Sequence, residues 1–68
     1  MKREEQQQKA KLFFNRICDC KTIKEVETLY DEIDDAASGR VITKRAYKWL
    51  SEECDDRISY LIEQELRE

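Results

Sequence analysis

The chain contains no histidine, no proline and one glycine, Gly39. Without histidine it lacks the commonest general base, proton shuttle and metal ligand, so most enzyme chemistries lose their usual centre. Without proline, and with a single glycine, it lacks the residues from which tight turns are built, and a sheet protein of this length would need several. A glycine-rich loop that cradles phosphates is ruled out for the same reason. No apolar run exceeds three residues, against the roughly 20 that span a bilayer, and no hydrophobic signal region follows Met1 and Lys2. The expectation is a soluble, cytoplasmic protein with no membrane association. The cysteines are odd in number: Cys18, Cys20 and Cys54. That count, without an export signal, argues for reduced thiols. Cys18-x-Cys20 with Cys54 34 residues later lacks the paired spacing and the fourth ligand of a closed zinc site. Glu53 and Asp55 beside Cys54 disfavour a nucleophilic thiolate there. No catalytic residue, metal or cofactor is expected.

What is present is a helical pattern. Apolar residues make up 40% of the chain and charged residues 43%, and the apolar ones recur at regular helical spacing, which is what permits a core in 68 residues. A first helix is expected over about 2–19, with Ala10, Phe13, Phe14 and Ile17 on one face. Its first two turns carry no large apolar side chain and are expected to fray unless a partner orders them. A second helix, over 22–38, opens on Thr22-Ile23-Lys24-Glu25, which has the form of a capping box in which Glu25 reaches back to the amide of Thr22. Ile23, Val26, Leu29, Tyr30, Ile33 and Ala37 form its apolar side, and Gly39 is expected to take the left-handed conformation that ends it. A third helix, over 43–67, has Thr43 as N-cap and Ile42 and Tyr47 placed as a hydrophobic staple, with Leu50, Cys54, Ile58, Leu61 and Ile62 continuing the stripe. The fold class that follows is all-α: one domain, residues 1–68, a small three-helix bundle built on an antiparallel helical hairpin.

Three surfaces are candidates for binding. Trp49 and Tyr60 fall nearly in register on the third helix, about 16 Å apart by helix geometry, on the side away from Leu50, Cys54 and Ile58, with Glu53 and Asp56 between them. Exposed aromatics of this kind anchor interfaces; the competing reading is that the first helix packs over them. Glu27, Asp31, Asp34 and Asp35 share a face of the second helix, and Glu52, Glu53, Asp55 and Asp56 cluster on the third. Such acids either imitate the charge spacing of nucleic-acid phosphates in a basic groove or simply solvate the surface, partly neutralised by pairs such as Glu53 with Arg57 and Glu63 with Arg67. Arg40, Lys44, Arg45 and Lys48 gather at the start of the third helix, where a DNA-reading helix presents its first residues. The net charge of −3, with +2 in residues 1–20 and so −5 in the rest, argues against general phosphate affinity and against direct nucleic-acid binding.

The stretch from Thr22 to Arg57, TIKEVETLYDEIDDAASGRVITKRAYKWLSEECDDR, resembles the helical hairpins of short accessory proteins carried by bacteriophages and other mobile elements, a group that includes anti-CRISPR inhibitors. The resemblance implies a non-enzymatic protein-binding module, an inhibitor that occupies a basic or nucleic-acid-binding surface of a host protein. The expected partner-binding residues are Trp49, Tyr60, Glu53, Asp56, Glu27, Asp31, Asp34 and Asp35. The alternatives are a homodimeric structural or regulatory module that buries the same aromatics between subunits, and a DNA-binding regulator.

Overall fold

The computed structural model describes residues 3–67 and shows three helices, α1 (Arg3–Asp19), α2 (Ile23–Ser38) and α3 (Lys44–Arg67). These match the expected 2–19, 22–38 and 43–67 to within a residue, and Lys2 lies outside the described residues. All three helices pack on one another in an up-down-up bundle, with α2 antiparallel to its neighbours. Contacts at three levels make α1 and α3 parallel: Gln6 bonds the Arg40 carbonyl, Phe14 stacks on Trp49, and the Cys20 carbonyl meets Arg57. α1 is thus a packed member of the bundle. In its first turns the Gln6 side-chain amide donates to the Arg40 carbonyl at 2.9 Å.

The core follows the apolar stripes. Ala10 and Ile17 of α1, Val26, Leu29, Ile33 and Ala36 of α2, and Leu50, Cys54 and Leu61 of α3 are buried, joined by Cys20 and Ile42 from the connections. Ile62, expected on this stripe, is 42% exposed, because Leu61 takes the inward position and successive helical residues diverge by about 100°. α3 has 24 residues against 17 and 16 in α1 and α2, so its last turns outrun the other helices and leave Leu66 81% exposed. No helix among the described residues is long and apolar enough to cross a membrane.

The caps show where local rules operate and where packing overrides them. Thr22 Oγ1 accepts from the Glu25 amide at 3.2 Å, as a capping box requires. The Glu25 carboxylate, however, takes the Lys21 amide at 2.7 Å and not that of Thr22. Thr43 Oγ1 likewise accepts from the Ala46 amide, and Ile42 is buried in the core against which Tyr47 packs, in agreement with the expected cap and staple. At the end of α2 the left-handed residue is Arg40, with φ 59°, while Gly39 keeps φ −82°. The Val41 amide donates to Ala36 O at 2.8 Å and the Arg40 amide to Ala37 O at 3.1 Å, a Schellman closure one residue later than the glycine marks. That register carries Ile42 into the core, and its burial outweighs the strain of a left-handed arginine, about 1 kcal/mol. Arg40→Gly should therefore raise the stability to urea by about 0.5–1 kcal/mol. The Gln6 bond uses the backbone carbonyl and survives the change. A loss of stability on this substitution would show that the arginine side chain contributes something its conformation does not reveal.

Candidate functional site

The side of α3 turned toward α1 carries Trp49 and Tyr60, and the structure separates them. α1 reaches Trp49, where Phe14 stacks on the indole at 5.1 Å between centroids and 19° between planes, leaving Trp49 38% exposed. Trp49 is thus exposed, as expected, while one side of it packs on α1 at the seam. α1 ends at Asp19, before it can cover Tyr60, which stays 48% exposed with the Arg57 guanidinium 4.8 Å from its ring centroid.

Arg57 does not pair with Glu53 as helical spacing suggested. Its Nε and Nη2 both donate to the carbonyl oxygen of Cys20, at 3.0 and 2.7 Å, so a forked cation closes the C-terminal end of α1, where unpaired carbonyls and the helix dipole favour positive charge. Among the described residues the one ion pair within 4.0 Å joins Arg16 of α1 to Glu32 of α2, at 2.6 Å. The expected pairing of Glu63 with Arg67 is accordingly not formed.

The acidic residues divide between the α2–α3 seam and the outer surfaces. Glu27 and Asp31 of α2 and Asp55 of α3 line one open groove of about 450 Å³, with Tyr30 and Ile58 as its apolar walls. Asp34 lies further along the same seam beside Tyr47, and this neighbouring carboxylate, followed by Tyr30 and by burial, pushes the Tyr47 phenol up to about 12. Ser51 Oγ, also on α3, is buried without a hydrogen-bond partner. Asp35, Glu52 and Asp56 are exposed and Glu53 is half-buried. Neither Glu52 nor Asp56 lines the groove with Asp55, so the α3 cluster does not act as one patch.

The thiols are placed for packing. Cys20 and Cys54 are buried and Cys18 is exposed, all three free. Cys20 Sγ donates to the Arg16 carbonyl at 3.2 Å. Burial, reinforced by Asp55, Cys20 and Glu53, pushes the Cys54 thiol up to about 11, and burial followed by Glu25 raises Cys20, the reverse of what a nucleophile needs. No group of His, Cys, Asp or Glu among the described residues could hold a metal ion. The raised thiols make the fold sensitive to alkali. A thiol whose folded pKa exceeds its unfolded value contributes stability that is complete below the unfolded pKa and is lost as pH rises through the folded one. Unfolding free energy should fall from pH 9.0 upward toward the Cys54 value of about 11, by about 1 kcal/mol per pH unit. Tyr47 adds to the decline above pH 10.0. Urea titrations across this range should show a shallower slope for Cys54→Ala; an equal slope would mean that Cys54 ionises alike in both states.

The chain matches no known family model, no curated protein and no solved structure.

Proposed function

We propose that the chain is a non-enzymatic protein-binding module of the phage-accessory kind, a small inhibitor that works in the cytoplasm and occupies a basic, nucleic-acid-binding surface of a host protein. The observation that supports this reading is the convergence of Glu27, Asp31 and Asp55 from two helices around one groove, with no cation in ion-pair range among the described residues. Three carboxylates drawn together repel one another in the free protein, and a cationic partner surface relieves that repulsion on binding. Tyr30 and Ile58 add apolar area between the charges, so the groove offers anchoring as well as steering. The bundle is short of catalytic groups: it has no histidine, and both buried thiols are held protonated.

The test is a tagged pull-down from host lysate that compares the native chain with Glu27→Gln/Asp31→Asn/Asp55→Asn. The substitutions sit at the groove rim and remove repulsion, so the variant remains helical. A partner held by the native chain should be lost by the variant, should dissociate as salt rises from about 50 to about 300 mM, and should be released by competing nucleic acid. A partner retained equally by both chains, at both salt concentrations, would contradict the proposal.

A further inference from the structure

The α1-facing flank of α3 carries Arg45, Trp49, Glu53, Asp56, Tyr60 and Glu63, three or four residues apart and so on one side of the helix. Between its upper part and α1 lies an open groove of about 380 Å³, floored by Ala10, Ala46 and Trp49 and rimmed by Lys11 and Arg45. Neither cation has a carboxylate within 4.0 Å among the described residues. The lower part of the flank holds an exposed aromatic and an exposed acid, Tyr60 and Glu63, that α1 is too short to reach.

Turned end for end, this stripe complements itself. One antiparallel register sets Trp49 against Tyr60 and brings Arg45 within one residue of Glu63, with a two-fold axis crossing α3 between Cys54 and Asp55. We propose that the flank is a homodimer interface: two copies associate antiparallel along α3, each placing its Tyr60 in the other's groove beside Trp49 and its Glu63 against Arg45 and Lys11. A two-fold arrangement satisfies both half-sites of both copies at once and closes without further growth. The choice of a second copy rests on charge complementarity: the cationic rim and the acidic, aromatic tail that fits it occur on the same chain. The centre opposes association, because Glu53 and Asp56 meet their counterparts across the axis, and like charges in contact weaken an interface. The dimer is therefore weak, and its weakness has an identifiable cause. Glu27, Asp31 and Asp55 lie on the α2 side of α3, so the proposed host-binding groove and this interface stand or fall separately.

Sedimentation velocity from about 10 μM to about 1 mM tests the arrangement, with circular dichroism confirming that each variant is folded. The native chain should show a monomer–dimer equilibrium with a dissociation constant of about hundreds of micromolar. Glu53→Gln/Asp56→Asn should tighten it about tenfold, and Arg45→Glu should weaken it about tenfold, because each contact occurs twice. The charge exchange Arg45→Glu/Glu63→Arg should restore native affinity. A native chain and a Glu53→Gln/Asp56→Asn variant both monomeric at about 1 mM, or a dimer indifferent to Arg45→Glu, would overturn the proposal. So would a monomer whose Trp49 fluorescence responds to a short single-stranded oligonucleotide or an acidic peptide, which would name a different occupant for the groove.

Discussion

Leu50→Ala is expected to cost about 3 kcal/mol, about a third or more of the stability of a chain this small. Leu50 is 0% exposed and lies in the second turn of α3, the one helix that contacts both others extensively. Truncating a buried leucine removes its transfer free energy and leaves a cavity, together about 2–5 kcal/mol. A domain of this size holds about 3–10 kcal/mol in total, so the urea midpoint should fall markedly. Urea denaturation followed by far-UV circular dichroism checks this, with Leu66→Ala as the control. Leu66 is 81% exposed, and its truncation should change stability by less than about 0.5 kcal/mol. Similar losses at the two positions would mean that the last turn of α3 is as well packed as the stretch around Leu50, against the burial pattern.

Arg57→Ala should cost about 2 kcal/mol, and Arg57→Lys should recover little of it. The two bonds from the guanidinium to the Cys20 carbonyl join segments 37 residues apart in sequence and satisfy a carbonyl just beyond the end of α1. Hydrogen bonds to charged groups contribute about 1.5–3 kcal/mol, and truncation leaves the half-buried carbonyl without its donors. Lysine offers a point charge and no fork, so it cannot reproduce both bonds in this geometry. Amide hydrogen exchange should accelerate over residues 15–20 in the variant, ahead of the α2–α3 hairpin. Glu53→Gln, by contrast, should leave stability nearly unchanged, because no ion pair holds Arg57 to Glu53. Comparable losses in Glu53→Gln and Arg57→Ala would show that the intrahelical pair, and not the fork, operates in solution.

Much of this molecule was legible in the order of its residues. The three helices, the Thr22 and Thr43 caps, the staple region and the inward positions Ile17, Val26, Leu29, Ile33, Leu50, Cys54 and Leu61 all depend on interactions within about four residues, which the sequence writes out directly. Misplaced details arose where two nearby residues competed for one role. Leu61 displaced Ile62 from the core, and the Lys21 amide displaced that of Thr22 at the Glu25 carboxylate. The candidate surfaces were legible only as lists of residues on helix faces. Which residues share a groove was not, since a helical wheel gives the direction of a side chain but not the neighbour that it meets.

The sequence alone determined an all-helical bundle without histidine, with its stripes and its caps, because helix formation and amphipathic burial are governed by spacing along one chain segment. Tertiary structure decided the rest. It stacked Trp49 on Phe14 and left Tyr60 open, because α1 ends before reaching it. It moved the left-handed turn from Gly39 to Arg40, because Ile42 had to reach the core. It sent Arg57 to the Cys20 carbonyl and gathered Glu27, Asp31 and Asp55 around one groove. Each outcome is a contact between segments that become neighbours only when the helices dock, and local propensity carries no record of that docking.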